Sequence, residues 1–271
     1  MAANPETAGA VVAAGATALV AGSAVFGAAN TPPTSRRSRS SREARCVSIP
    51  KAFIFDLDGT LIDSAPDIAW VTNRLLERHG LRSYETDAVR LMIGGGVAKL
   101  VERAWRGREI ELTLSQANDL AADFIEIYLT RACVETLPFP GAEAALKRCK
   151  VNGARIGLCT NKPYSVTARI VETLGWSDYF GAVIGGDSAP AKKPDPAPMK
   201  MALSALGATG EETIMIGDSA VDVGAARSVG ARVMLISHGY SKKPVSELGA
   251  DWVIDHFDQV QTVLFPEAAN A

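Results

Sequence analysis

The feature that most limits what this chain can fold into is a series of short apolar runs, most of them separated by helix-length segments. "AFIF" (52–55), "ARIGLC" (154–159), "AVIG" (182–185), "TIMIG" (213–217), "RVMLIS" (232–237) and "WVI" (252–254) are brief and rich in β-branched or aromatic residues, as buried strands are. Helical periodicity occupies the later intervals: Val166, Ile170 and Leu174 precede Gly175, Met199, Leu203 and Leu206 precede Gly207, and Ala225 and Val229 precede Gly230. Glycine at such positions ends a helix because it accepts the left-handed conformation without Cβ strain. Strand and helix alternating in this way predict an α/β fold, a doubly wound, Rossmann-like parallel sheet with helices on both faces.

The interval between the first two runs breaks the alternation, for residues 56–153 carry no strand signal. Ser64 with Asp67 three residues on reads as a helix cap and its capping-box acid, followed by Ile68, Val71 and Leu75 on one face and a stop at Gly80. Val97, Leu100, Val101, Ala104 and Trp105 form a second amphipathic face, and Leu120, Phe124 and Ile127 a third. A structureless loop of this length is implausible inside a compact domain. The expectation is a small all-helical cap over residues 65–136, inserted into a core made of 47–64 and 137–271.

A hydrophobic content of 47% in 271 residues supplies enough apolar surface for such a core. With 30 acids against 28 bases, nothing in the overall charge argues for nucleic acid or an anionic membrane as partner, while a small anionic ligand stays open. Cys46, Cys133, Cys149 and Cys159 form no CxxC pair and suit free thiols in a reducing compartment, which points to the cytoplasm. Residues 1–46 differ from the rest: an uncharged stretch of mostly Ala and Gly is followed by "SRRSRSSREAR" at 35–45. The basic residues follow the apolar run instead of preceding it, so a secretory signal is disfavoured. Alanine and glycine supply little transfer energy for a membrane span. The expectation is a disordered leader or an artefactual extension, with organelle targeting or membrane association through this segment as the alternatives.

Ligands of open parallel sheets sit at the carboxyl ends of the strands. Those ends carry Asp56 and Asp58 after the first strand, Thr160 and Asn161 after the second, Lys192 and Lys193 after the third, and Asp218 and Asp222 after the fourth. Side chains alternate along an extended segment, so Asp56 and Asp58 project the same way. Facing Asp218, they would repel one another without a cation, and hard oxygen ligands favour Mg²⁺. One carboxylate is then placed to attack phosphorus and another to transfer protons. Each element alone is a weak signal, since a DxD is also a turn and a lysine before proline is usually solvated. Their joint placement at strand ends carries the functional reading.

These residues resemble the four signature motifs of the haloacid dehalogenase superfamily of phosphatases: "DLDGT" from Asp56 to Thr60, Thr160 in "CTNKP", Lys193 in "KKPDPAP", and "GDSAVD" with Asp218 and Asp222. Within it, "FDLDGTLIDSAPDI", "GGD" at 185–187 and "SHGY" at 237–240 are most similar to the bacterial phosphoglycolate phosphatases. The resemblance implies a Mg²⁺-dependent phosphatase acting on a small phosphorylated metabolite. It implies Asp56 as nucleophile and metal ligand, and Asp58 as general acid and base that also binds metal through its backbone carbonyl. Thr160 and Lys193 would hold phosphoryl oxygens, Asp218 and Asp222 would serve the metal, and Asn161 and Thr60 would contact substrate. In the cap, Lys99 after the glycines of "MIGGG" is the candidate for a substrate carboxylate. A Schiff-base role for Lys99, as in phosphonoacetaldehyde hydrolases, is disfavoured because those enzymes lack the second aspartate, which Asp58 supplies here. Other phosphomonoesters or pyrophosphate, a sugar-phosphate mutase using the same motifs, and a non-catalytic phosphate-binding protein remain as alternatives. Oligomeric state is not legible.

Overall fold

A computed structural model describes residues 50–260; the expected leader at 1–46 and Cys46 lie outside them. Six strands form one parallel sheet: β1 (Ala52–Phe55), β4 (Arg155–Cys159), β5 (Ala182–Ile184), β6 (Thr213–Gly217), β7 (Arg232–Ile236) and β8 (Trp252–Ile254), in the order β5-β4-β1-β6-β7-β8. β1 lies inside the sheet, and all four of its residues have no solvent exposure. This explains a run with no polar alternation, because a strand covered on both faces has no wet side to mark. The chain leaves β1 toward β4 on one side and returns to β6 on the other, a topological switch point. Register sets Phe55 level with Leu158 and with Ile216, so the residues just beyond β1, β4 and β6 emerge at one height.

Helices cover both faces. One layer packs β1 side chains such as Phe53 and Phe55 with Leu146, Ile170 and Trp176; the other packs Ile54 with Met199, Leu203 and Ala225. Burying each large apolar side chain contributes about 1.5–3 kcal/mol. The insertion contains α1 (Ala65–Arg78), α2 (Thr86–Arg90), α3 (Val97–Arg106) and α4 (Leu114–Leu129). Its entry and exit are β2 (Ile62–Asp63) and β3 (Leu137–Pro138), which pair antiparallel as a two-stranded ribbon that their sequence did not announce. The core helices are α5 (Ala142–Val151), α6 (Tyr164–Thr173), α7 (Pro196–Leu206) and α8 (Ala220–Ser228). No helix among the described residues is long and apolar enough to cross a membrane.

The capping box expected at Ser64 and Asp67 is not formed. Ser64 stands at the N-cap of α1 without capping it through its side chain, and its hydroxyl donates to Asp58 instead. Asp67 is fully buried and accepts the backbone N–H groups of Val134, Glu135 and Thr136. Three converging donors across the ribbon outbid one local amide, and the sequence cannot show donors that arrive from so far along the chain.

Candidate active site

The strand ends, the loop after β4 and the cap enclose a crevice of about 90 Å³ that opens to solvent. Asp56, Asp58, Thr160, Asn161, Lys193 and Asp218 line it. Its other wall is apolar and comes from the cap, chiefly Ile68, Ile93, Leu100 and Phe124. None of the three histidines in the sequence lines it.

At its base the Lys193 ammonium, 3% exposed, donates to Asp222 Oδ1 at 2.7 Å and stands 3.0 Å from Asp56 Oδ1. Burial pushes the Asp56 carboxyl up to about 6, with Lys193 opposing and the charges of Asp222 and Asp58 adding to the rise. Burial, followed by the charges of Asp222 and Asp56, likewise raises Asp218 well above the usual carboxylate range. Burial alone would lower Lys193, but Asp222 and Asp56 outweigh it and keep the ammonium charged. Carboxylates that resist ionisation together need a further cation, and oxygens of Asp56, Asp218 and Asp222 lie within 4.8 Å of one another. The all-oxygen donor set fits a hard divalent cation.

The three acids are not equivalent. Both oxygens of Asp222 are engaged: Oδ1 by Lys193, and Oδ2 by the Asp218 and Ser219 amides and the Ser219 hydroxyl. Asp222 therefore braces the loop and the lysine, while Asp56 and Asp218 carry the freer oxygens. Asp218 is aimed by the Tyr240 amide, 2.5 Å from Oδ2, and by the hydroxyl of the buried Thr60 at 3.5 Å from Oδ1. Thr60 does not line the crevice, so its expected contact with substrate gives way to a place beneath Asp218.

The Asp58 carboxylate stands outside the acidic cluster and is held by the Ser64 hydroxyl and by Lys162 Nζ at 2.8 Å. Its expected part in metal binding thus rests on its backbone carbonyl. Asn161 Nδ2 donates to the Lys193 carbonyl at 3.0 Å, joining the loops after β4 and β5. Lys99 does not reach the crevice: its ammonium is exposed on the outer face of α3 and pairs with Glu102 at 2.8 Å. One turn of helix separates them, so the local ion pair forms without the chain having to turn Lys99 inward.

Sequence reasoning assigned no role to Lys162, Tyr128 or Tyr240. Lys162 is adjacent to the residues singled out in "CTNKP" and its basic side chain was a usable signal. Tyr128 Oη accepts from Lys162 Nζ at 2.7 Å, carrying the core network into cap helix α4. Tyr240 donates its hydroxyl to Asp63 Oδ1 at 2.6 Å and accepts the Ser64 amide at 2.9 Å, so the residue that aims Asp218 also grips the cap entry. Tyr240 closes the "SHGY" stretch, which gave it no role, and nothing in the local sequence marks Tyr128.

Comparison with known proteins places this geometry in a family. The haloacid dehalogenase-like hydrolase model matches residues 50–230. A phosphoglycolate phosphatase of Caulobacter vibrioides is 41% identical over 203 residues, covering 75% of this chain and 86% of the relative. One from Rhodospirillum rubrum is 39% identical over 215 residues, covering 77% and 88%. Among solved structures, a predicted phosphoglycolate phosphatase from Haemophilus somnus superposes with a TM-score of 0.74 at 30% identity, covering 80% of this chain and 98% of that one. On the family match, these identities and the superposition, the chain belongs to the haloacid dehalogenase-like hydrolases.

Proposed function

We propose that the protein is a Mg²⁺-dependent phosphomonoester hydrolase that works through an aspartyl phosphate, with 2-phosphoglycolate as its substrate. The observation that carries the reading is the convergence of Asp56, Asp58, Thr160, Lys193 and Asp218 on one crevice. The substrate follows from the relatives named phosphoglycolate phosphatase at 39–41% identity.

Asp56 and Asp218, with the Asp58 backbone carbonyl, would hold Mg²⁺, which when bound neutralises the carboxylates and polarises the phosphoryl group. Lys193 and Thr160 hold the phosphoryl oxygens, Lys193 offsetting charge in the transition state. An Asp56 carboxylate oxygen attacks phosphorus as the P–O bond to the leaving group breaks, and Asp58 donates its proton to the departing oxygen. Asp58, now a carboxylate, takes a proton from water as that water attacks the phosphoryl group and releases Asp56 and inorganic phosphate. Lys162 and Ser64 fix the Asp58 side chain for both transfers. Cys133, Cys149 and Cys159 are unpaired, which suits the reducing cytoplasm proposed as its compartment.

The test is a phosphate-release screen over small phosphomonoesters, with and without Mg²⁺, alongside Asp56→Asn. The expected result is fastest release from 2-phosphoglycolate, dependence on Mg²⁺ and an inactive variant. Full activity in Asp56→Asn would sink the mechanism; a preference for hexose phosphates would sink only the substrate.

A further inference from the structure

We infer that Lys162 binds a second anionic group on the substrate, so that the preferred esters are short ones whose leaving group carries an acid. The inference rests on the phosphatase reading and names the element of the site that selects within it.

Lys162 has 2% of its side chain exposed and lies between core and cap. Burying an ammonium is costly without negative or hydrogen-bonding partners. Two are present: Asp58 Oδ1 at 2.8 Å and Tyr128 Oη at 2.7 Å. An ammonium has three donors, and among the described residues no third acceptor is bonded to it, while Lys162 itself lines the crevice.

The rest of the crevice leaves a second anion few choices. Among the described residues Lys162 and Lys193 are the cationic side chains that line it; Lys193 is occupied by Asp56 and Asp222 at the base, and the exposed Lys192 stands outside the lining beside Gly96. The cap wall offers Ile68, Ile93, Leu100 and Phe124, which would bury a charged arm without compensation. Lys99 is turned outward to Glu102.

The backbone of the cap adds to the case. Gly96, the N-cap of α3, has φ +90°, and a Cβ there would stand 2.8 Å from Lys192 Nζ and 3.3 Å from the Asn161 carbonyl oxygen, so α3 begins against the segment that carries Lys162 and beside the exposed Lys192. No side chain caps α3, and the N–H groups of its first turn have no partner within the helix. They turn a favourable dipole toward negative charge at the same end of the crevice. Lys162 is therefore placed to accept an anionic arm with its third donor while Tyr128 keeps the ammonium in register.

The experiment compares 2-phosphoglycolate with ethyl phosphate, an arm of similar length without the carboxylate, in wild type and Lys162→Met. Any loss that acts through Asp58 falls at least as heavily on ethyl phosphate, whose alkoxide is the poorer leaving group, so it does not lower the ratio of kcat/KM for 2-phosphoglycolate over ethyl phosphate. One charge-assisted hydrogen bond changes binding by about 10- to 100-fold. The wild type is expected to favour 2-phosphoglycolate, and Lys162→Met to lower the ratio by that factor, mainly through KM for 2-phosphoglycolate. If Lys162→Met does not fold, Lys162→Arg, which keeps the charge with altered reach, is expected to shift the ratio in the same direction by a smaller factor.

A wild type that prefers another acid-bearing ester moves the substrate while leaving Lys162 testable on that ester. An unchanged ratio in an active variant, or a wild type indifferent to the carboxylate, overturns the inference alone. No phosphate release from any ester overturns the phosphatase reading and this one with it.

Discussion

The Asp67 carboxylate accepts the Thr136 amide at 2.8 Å and the Thr136 hydroxyl at 2.7 Å, although the two residues are 69 positions apart. It also takes the amides of Val134 and Glu135 at 3.0 Å and lies 3.4 Å from Arg131 Nε. One buried side chain thus fastens the first turn of the cap to the segment by which the chain leaves it. Asp67→Ala strands several buried donors, a change that costs about 3–5 kcal/mol. For a domain of this size that lowers Tm by about 6–20 °C. Thermal unfolding checks it; a Tm within about 2 °C of wild type would mean the clamp contributes little.

A second tether responds to pH. Asp63, in the entry strand β2, accepts from Arg90 Nη1 in the cap at 2.8 Å and from the Tyr240 hydroxyl in the core at 2.6 Å. Partial burial works against its charged form, but the hydrogen bonds from Arg90, Tyr240 and the Ala65 amide prevail and hold its pKa below the ordinary 3.8. A depressed carboxylate contributes stability that is full above the unfolded value and is lost as pH falls below it toward the folded one. Wild type and Asp63→Asn should therefore differ in Tm at about pH 6, with wild type the more stable, and the gap should close as pH falls below the ordinary carboxylate value and through the depressed one. A gap that stays constant over this range would remove the charge from the explanation.

These tethers show where the sequence was legible. The buried strands of the sheet appear as contiguous apolar runs because both faces are covered, and β1 ends where Asp56 begins. The acids and the lysine at the strand ends could be placed from that pattern alone, since parallel topology brings those ends together. The cap helices were visible through periodicity, although α2 is only five residues long and left no pattern to read. Partnerships between distant segments were not visible. Asp67 looked like a local cap, Lys99 looked like the cap's cation, Tyr240 was one letter of a quoted stretch with no role attached, and Tyr128 looked like nothing in particular. Each is decided by which group faces it in three dimensions, and spacing along one element carries no record of that.

Gly59 has φ +81°, and a Cβ there would fall 2.6 Å from Asp218 Oδ2 and 3.0 Å from the Tyr240 ring. Gly59→Ala combines backbone strain with a clash against the acid that Tyr240 aims. The backbone term costs about 1–2 kcal/mol. Displacing a catalytic carboxylate by about 1 Å lowers rate by about 100-fold. Activity should fall far more than stability, a comparison read by kcat beside Tm. A variant that loses both in proportion would assign the glycine to folding alone.

The last prediction concerns the unbalanced charge at the base of the crevice. Burial and mutual repulsion raise the pKa values of Asp56 and Asp218, and among the described residues Lys193 supplies the one ammonium paired with Asp56 and Asp222. A divalent cation bound there relieves repulsion in the folded chain and finds no equivalent site in the unfolded one, so Mg²⁺ should raise Tm in the absence of any substrate. At ten times the dissociation constant the stabilisation is about 1.4 kcal/mol, or about 3–6 °C. Asp218→Asn removes a carboxylate of the cluster and should abolish that shift. Asp222→Asn behaves differently. Its carboxylate holds Lys193 and the Ser219 loop with both oxygens, so its loss should lower Tm with or without Mg²⁺. Differential scanning calorimetry on the three proteins, with Mg²⁺ and with a chelator, separates the cases. Equal Mg²⁺ shifts in wild type and Asp218→Asn would place the cation away from this cluster.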